Sequence, residues 1–475
     1  LERHGAVVLV GPGHNGGDGL VVARELHLAG LAVAVWSPFE RHKPLTASHL
    51  RHARWLGVPQ LEAPPDPAAP ALWIDALLGI GQRRPPDPAL QELLRARALA
   101  HPGRLVAIDV PTGLCADSGR CLGTVAARSG HTYTLGLVKR GLVQDSALGW
   151  VGELRHIDLG LPPALLAALP VDQPLGLGPD DLAAAPWPAL NPAAAKYGRG
   201  RLLVVAGSER YRGAAALTLA GASASGCGSL RAALPAGLAQ EIWSVHPHVV
   251  VSRALACDGR GHLELAQLGE AELERLDAVL VGPGLGAAAG PPGGGDRDGE
   301  AQAWLRLQRF TGLLVLDADG LNRLARLGAE AWLQQRGGPT WITPHRGEFE
   351  RLFPQWRDAE PLEAAAAAAR ASGAAVLLKG ARSVVASADG RRWQVLEAAP
   401  AAARAGLGDV LAGYGAAIGA MAVAAGTHPQ AELLAAAAMA HATAGLRLQR
   451  RGAGSASPQA VARCLARVCG FASKS

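Results

Sequence analysis

Residues Ala405-Gly406-Leu407-Gly408-Asp409, followed by Val410-Leu411-Ala412-Gly413, combine small residues, a single acid and an apolar helical run. Glycine lets backbone N–H groups approach an anion closely, and a helix start adds a dipole that favours phosphate. Asp409 then falls in the first helical turn beside that anion hole. There it can take a proton from a hydroxyl attacking a phosphoryl group. A glycine turn whose acid caps a buried helix would use the same residues, so the rest of the chain has to decide.

In the first half, Gly11-Pro12-Gly13-His14-Asn15-Gly16-Gly17-Asp18-Gly19 follows an apolar run and opens a helical stretch. It is glycine-rich like a dinucleotide loop but lacks the G-x-G-x-x-G spacing. Its internal acid would repel a pyrophosphate unless it binds sugar hydroxyls or a cation. The loop therefore suits a nucleotide held unconventionally, and a mere tight turn does not explain so many glycines beside Asn15 and Asp18. Asp75-Ala76-Leu77-Leu78-Gly79-Ile80-Gly81 and Asp109-Val110-Pro111-Thr112-Gly113 bring two further strand ends to the same place. Asn15, Asp75 and Thr112 together offer hard oxygen ligands suited to an alkali or alkaline-earth ion. Taken alone, Asp75 would also pass as a strand-end cap.

In the second half, Thr343-Pro344-His345-Arg346-Gly347-Glu348 places an imidazole and a carboxylate at a strand end, where a sugar or phosphate can be held. Lys379-Gly380-Ala381-Arg382-Ser383 offers a cation, a glycine and a hydroxyl after another strand, a nucleotide-phosphate or adenosine contact. A hairpin with a surface lysine is the plain alternative. Lysine is scarce, at 43, 139, 196, 379 and 474 only, so Lys196 and Lys379 stand out from a background of arginine.

The elements that must carry these residues alternate between apolar runs and helical stretches, the pattern of a parallel α/β sheet with ligands at strand carboxyl ends. Ala6–Val10, Ala32–Trp36, Leu72–Asp75 and Leu105–Val110 read as strands, and Leu20–Ala29 as a helix. Leu161–Asn191, rich in Pro and Ala with weak periodicity, reads as the join between two domains. The alternation restarts with strands at Leu202–Ala206, Ala278–Val281, Leu313–Leu316, Trp341–Thr343 and Ala375–Leu378, and a helix at Ala214–Ser225. A helix-rich end from Val410 to Val468 covers the sheet, and Gly290–Gly299 reads as a mobile loop.

At 475 residues the chain has room for two to three domains. The net charge of +6 is carried almost wholly by arginine, with no Lys/Arg block interleaved with aromatics, so a nucleic-acid partner is not expected. Cys115, Cys121, Cys227, Cys257, Cys464 and Cys469 form no C-x-x-C pair, which fits a reducing, cytoplasmic compartment. The apolar stretch Leu411–Gly426 is too short and too rich in Ala and Gly to span a membrane, and reads as a tightly packed buried helix. The abrupt start, with a core strand by Ala6, suggests that an N-terminal segment precedes Leu1.

The first-half motifs, with Leu135-Gly136-Leu137-Val138-Lys139-Arg140-Gly141-Leu142 and Ile157-Asp158-Leu159-Gly160-Leu161-Pro162, resemble in order and spacing the NAD(P)H-hydrate epimerase family. The resemblance implies a Rossmann-like domain that interconverts the R and S hydrates of NADH and NADPH. It also implies a potassium ion on Asn15, Asp75 and Thr112. Substrate would lie on His14, Asn15, Gly16, Gly17, Asp18, Gly79, Ile80, Gly81 and Asp109, with Asp109 catalytic. The family usually has Asn where this chain has His14 and Ser where it has Thr112, and its N-terminal helix is missing.

Gly282-Pro283-Gly284-Leu285-Gly286, Thr343–Glu348, Lys379–Ser383 and Gly406–Asp409, in this order, resemble the ADP/ATP-dependent NAD(P)H-hydrate dehydratase family of ribokinase-like fold. That resemblance implies substrate contacts at Ala214, Gly286, His345 and Asp409, and AMP-moiety contacts at Lys379, Gly380, Ala381, Arg382, Ser383 and Gly408. Asp409 would be the catalytic base, with Mg2+ accompanying ADP or ATP. The family often has His where this chain has Ala195, an Asn-x-Gly-Met-like segment at Ala401–Arg404, and Gly at Ala405. Together the resemblances imply an epimerase domain over 1–170, a linker over 171–190 and a dehydratase domain over 191–475. They further imply a homo-oligomer working on small molecules, with no membrane partner. Two alternatives stand beside this reading: a ribokinase-like kinase with a stable phosphorylated product, and a first domain that only binds nucleotide or a partner.

Overall fold

The computed structural model describes residues 1–189, 191–287 and 297–468, and its chain divides at Leu169/Pro170 into two units. In the first, short runs of branched and apolar residues form β1 (Ala6–Val10), β2 (Val33–Trp36), β3 (Gln60–Leu61), β4 (Leu72–Ala76), β5 (Leu105–Ile108), β6 (His131–Leu135) and β7 (Glu153–Ile157). They make one sheet in the order β3-β2-β1-β4-β5-β6-β7, parallel at every pairing. The order reverses between β1 and β4, where open parallel sheets leave a crevice for ligands. Apolar side chains fill both faces, Val8, Val10, Leu20 and Ile74 in one cluster and Leu9, Trp73, Leu94 and Ala107 in the other.

Three helices flank this sheet: α1 (His14–Leu28), α2 (Pro44–Trp55) and α3 (Pro88–Ala100). Helix α1 begins earlier than the sequence suggested, so Asn15, Gly16, Gly17 and Asp18 are helical rather than loop. Close approach explains the glycines. A Cβ on Gly16 would lie 2.1 Å from the carbonyl oxygen of Gly11, and one on Gly19 would lie 2.4 Å from the Cβ of Ala76. The helix start is pressed against the β1 turn and β4, and tertiary contact overrides the poor helix propensity of glycine.

The second unit contains β8 (Leu175–Leu177), β9 (Arg201–Val205), β10 (Ser229–Pro235), β11 (Val250–Leu255), β12 (Ala278–Val281) and β13 (Leu313–Leu316). β14 (Thr340–Ile342), β15 (Ala375–Leu378), β16 (Val384–Ala386) and β17 (Arg392–Val395) complete it. The ten strands run β11-β10-β9-β12-β13-β14-β15-β16-β17-β8, with β16 antiparallel to both of its neighbours. Residues 171–190 are therefore more than the expected linker: β8 adds an edge strand beside β17, pairing Leu175 with Trp393 and Leu177 with Val395. A strand of three residues leaves too little periodicity to read.

One face of this sheet carries α4 (Arg212–Ser223) and the C-terminal helices, and the other carries α5 (Arg297–Arg309), α6 (Ala318–Arg326), α7 (Arg346–Leu352) and α8 (Pro361–Ser372). Of the expected loop over 290–299, residues 290–296 lie outside the described residues, and 297–299 start α5. The C-terminal helices are α9 (Leu407–Ala424), α10 (Ala431–Gln449) and α11 (Pro458–Val468). The apolar α9 is buried in the core, stacked on α4 through glycines. A Cβ on Gly413 would sit 1.9 Å from the carbonyl oxygen of Thr218, and one on Gly221 would sit 2.1 Å from that of Val410. Such backbone contact fixes where α9 begins.

Candidate active sites

At the reversal between β1 and β4, Asp75 is fully buried. Its Oδ2 accepts from the Thr112 N–H at 2.8 Å, and its Oδ1 from the Thr112 hydroxyl at 2.8 Å and the Leu77 N–H at 3.2 Å. The Thr112 hydroxyl accepts from the Leu78 N–H at 3.1 Å, while the Leu78 carbonyl accepts from the Asn15 amide at 3.1 Å. The structure thus gathers the three expected oxygen donors around residue 78. Burial pushes the Asp75 carboxyl up to about 6, against its bonds from Thr112 and Leu77. Asn15 Oδ1 is buried without a hydrogen-bond partner. A hard cation would satisfy that oxygen and balance the neighbouring carboxylate, so amide, hydroxyl and carboxylate oxygens together fit such an ion. Among the described residues no group of three His, Cys, Asp or Glu side chains could hold a metal.

Gly79 lies against Asn15, with 3.2 Å between a Cβ built there and that of Asn15, and Ile80 and Gly81 are exposed beside it. Asp109 follows β5 in a left-handed conformation, φ 66°, a strained state for a residue with a side chain. Its Oδ1 accepts from the Leu135 N–H at 3.3 Å and pairs with the Lys139 ammonium, which also donates to the Leu135 carbonyl at 2.6 Å. Asp18 is pushed above the usual carboxylate range by burial and by the Asp109 charge, against the pull of His14 and His49. His14 sits one helical turn before Asp18 on α1. His49 comes from α2, its ring 3.7 Å from a Cβ built on Gly17. Nothing in the sequence marks His49: only the packing of α2 on α1, fastened by the Thr46 hydroxyl donating to the Gly13 carbonyl at 2.8 Å, brings it there.

In the second unit, the Gly282–Gly286 turn wedges between α4 and α6. A Cβ on Gly282 would lie 1.7 Å from the Asp317 carbonyl oxygen, and one on Gly284 would lie 2.6 Å from the Cβ of Ala214. The Gly286 N–H donates to Asp319 Oδ2 at 2.8 Å. Ala214 and Gly286 thereby line one corner. His345 caps α7, its Nδ1 accepting from the Gly347 N–H at 3.1 Å and its Nε2 3.2 Å from Glu348 Oε1. Glu348 accepts in return from the His345 N–H at 2.8 Å. The Lys379 N–H donates to the Pro344 carbonyl at 2.8 Å, which sets His345 and Lys379 side by side.

The Lys379–Ser383 loop differs from expectation. The Lys379 ammonium turns inward to Asp317 Oδ1 at 2.6 Å, and the buried Arg382 donates from Nε to the Leu396 carbonyl at 2.8 Å. Both cations are engaged by the protein. Gly380 and Ala381 stay exposed, and the Ser383 hydroxyl bonds back to Gly380. Asp317, the residue that follows β13, is buried and also accepts from the Thr343 hydroxyl at 2.9 Å. The Asp317-Ala318-Asp319-Gly320 run after an apolar strand was the available signal, and Ala318 there is left-handed at φ 47°.

Gly406 takes φ 89° at the cap of α9, a conformation that requires glycine, and Asp409 is the third residue of the helix. Burial pushes the Asp409 carboxyl up to about 7, reinforced by Asp317, Asp319 and Glu348 and opposed by Lys379. Lys379 is held above its usual range because Asp317, Glu348 and Asp409 outweigh its own burial. On α10, behind the Leu407 turn, burial pushes His441 down to about 4. The Leu407 N–H donates to the Arg404 carbonyl at 3.3 Å; the N–H groups on either side of it at the helix start, with a carboxyl poised near neutrality beside them, can receive a phosphoryl group while a hydroxyl loses its proton.

A family profile described as YjeF-related protein N-terminus matches residues 2–141, and one described as NAD(P)H-hydrate dehydratase matches residues 202–467. The bifunctional NAD(P)H-hydrate repair enzyme Nnr of Gloeobacter violaceus is 44% identical over 420 residues, 86% of this chain and 78% of that protein. The enzyme of the same name from Synechocystis is 41% identical over 409 residues, 86% of this chain and 75% of that protein. A solved ribokinase-like superfamily protein from Enterococcus faecalis superposes with a TM-score of 0.51 at 20% identity, covering 62% of this chain and 94% of that one. That likeness shows the fold of the second unit.

Proposed function

The chain belongs to the bifunctional NAD(P)H-hydrate repair enzymes, and we propose that its two sites divide that repair as the resemblances imply. The chain interconverts the R and S hydrates of NADH and NADPH and dehydrates the S form back to the dinucleotide at the expense of ADP or ATP. It is thus an isomerase and a hydro-lyase in one polypeptide. The observation that carries the assignment is the order of the two matched families along a single chain.

In the second site the hydrate's ring hydroxyl is a poor leaving group. Asp409 takes its proton as the oxygen attacks the terminal phosphorus of the nucleotide, and the N–H groups of Gly406 and Gly408 stabilise the transferred phosphoryl. Expulsion of phosphate, with loss of a proton from the neighbouring carbon, restores the ring double bond. Ala214, Gly286 and His345 would hold the hydrate, and the exposed backbone of Gly380 and Ala381 with Ser383 would face the nucleotide. Mg2+ would enter on the nucleotide phosphates, and the hard carboxylate oxygens gathered here suit such an ion. In the first site Asn15, Asp75 and Thr112 would hold potassium, which offsets buried negative charge. Asp109, fixed by Lys139, and Asp18 would face the reacting carbon, with His14, Gly16, Gly17 and Gly79–Gly81 around the substrate. A homo-oligomer, on the resemblance, and a cytoplasmic location, on the cysteine spacing, complete the reading.

The test is one coupled assay, a mixture of R and S hydrates with ADP or ATP. Wild type should consume both isomers and release phosphate. Asp409→Asn should lose dehydration by a factor on the order of a thousand or more while still binding nucleotide. Asp109→Asn should consume only the S form beyond the spontaneous rate. A phosphoester that accumulates in place of NAD(P)H would overturn the dehydratase reading.

A further inference from the structure

The two small residues expected to meet the hydrate in the second site, Gly286 and Ala214, have their backbone hydrogen bonds already made. The Gly286 N–H donates to Asp319 Oδ2 at 2.8 Å, and its carbonyl accepts from Arg323 Nε at 3.2 Å and Nη2 at 3.1 Å. Arg323 is buried, so both lone pairs of that carbonyl are taken up inside the protein. The Ala214 N–H donates to the Tyr211 carbonyl at 3.2 Å, and its carbonyl, inside α4, accepts from the Thr218 hydroxyl at 2.8 Å. Both residues offer a ligand apolar surface. A polar substrate seated on them needs a hydrogen-bonding group from another element, because its own desolvated groups would otherwise go unpaired.

His262 stands at that corner. It lies in the connection between β11 and β12, where Asp258 Oδ1 accepts from the Arg260 and His262 N–H groups, each at 2.9 Å. The Gly261 carbonyl accepts from the Glu209 N–H at 3.1 Å, and the Leu263 N–H donates to the Leu285 carbonyl at 2.8 Å. These bonds tie the turn to the segments that leave β9 and β12. The three atoms nearest to a Cβ built on Gly286 all belong to His262, with Cδ2 closest at 2.3 Å. The ring's Nδ1 is buried, 3.4 Å from Asp258 Oδ2 and without a hydrogen-bond partner. That carboxylate draws the ring proton to Nδ1, which leaves Nε2 as an acceptor. The side chain keeps 17% of its surface open, with Nδ1 outside the open part.

We propose that His262 is a substrate-binding residue of the dehydration, its Nε2 accepting a hydrogen bond from an N–H or O–H of the hydrate seated on Gly286 and Ala214. The proposal rests on the reading of this corner as the hydrate's seat. Asp258 then acts through His262, as a positioning residue that fixes its turn and its tautomer.

The substrate dependence of dehydration tests this. His262→Leu should raise KM for the S hydrate about fivefold to tenfold, with kcat and the KM for ADP or ATP within about twofold of wild type. His262→Gln, whose amide oxygen can stand near the place of Nε2, should recover most of the loss. An unmoved hydrate KM in His262→Leu, or a loss that falls on the nucleotide KM instead, overturns the proposal. A second readout needs no turnover: the imidazole NMR spectrum, with the His262 signal identified by its absence in His262→Gln. Saturating NADH should shift that signal. If wild type fails to turn over the hydrate yet NADH shifts the His262 signal, the function reading fails and the binding role stands. If turnover proceeds and the hydrate KM of His262→Leu does not move, the binding role fails alone. If neither turnover nor a shift is seen, both fail.

Discussion

Asp409 and Asp75 are both buried acids held above their usual range, and they ask for opposite remedies. Asp409, raised to about 7, would have to lose its proton to act as the base proposed for the dehydration. Its kcat/KM for dehydration should therefore fall about tenfold per pH unit below about 7 and level off above, measured as rate against pH at low substrate. The same shift bears on stability. A folded carboxyl raised above its unfolded value binds the proton more tightly when folded, so its contribution declines as pH rises from the unfolded value toward about 7. Asp409→Asn should raise Tm at pH 8 and make little difference at pH 3.5. Asp75 instead asks for a counter-charge, and Asn15 Oδ1, linked to it through Leu78 and Thr112, has no partner. Epimerisation should be faster in potassium than in lithium or choline salts, and Asn15→Leu should remove that difference. Asp409 was legible because glycines and one acid precede an apolar run. Asp317 and the inward turn of Lys379 were not, because their pairing joins positions separated by 62 residues.

At the level of elements, the strands were legible because each is a short apolar run. The start of α1 was not, because glycine reads as loop until contact with β4 shows why it is needed. The same contact logic governs α9 and α4. Gly413→Ala and Gly221→Ala each drive a methyl into backbone carbonyl oxygen, at 1.9 Å and 2.1 Å, and backbone cannot rotate away. Each should cost about 1–3 kcal/mol in denaturant unfolding. Each should also lower dehydration while leaving epimerisation unchanged, because the shift falls on the helix that starts at the proposed anion hole. Gly415 serves as the control. A Cβ there would meet Leu434 at 3.8 Å, ordinary contact, so Gly415→Ala should be neutral or stabilising by up to about 1 kcal/mol.

Each unit of the whole molecule has its own sheet and its own apolar clusters. The alternation of strands and helices made both sheets legible, whereas the Pro- and Ala-rich composition of 171–190 concealed an edge strand. Arg392 fixes that strand, donating from Nε to the Asp172 carbonyl at 3.0 Å and from Nη1 to Glu363 at 2.9 Å. A fragment of residues 170–475 should fold and dehydrate the S hydrate. One starting at residue 191 should melt several degrees lower, because β17 loses its neighbour and Arg392 loses Asp172. Equal melting temperatures for the two fragments, compared by calorimetry, would count against a structural role for β8. The arrangement also has a consequence for biosynthesis. Asp172 and Arg392 are 220 residues apart, so the first strand of the second sheet to leave the ribosome is among the last to find its place. At about 5–20 residues per second it waits unpaired for roughly 10–45 s, time in which the preceding unit can finish folding.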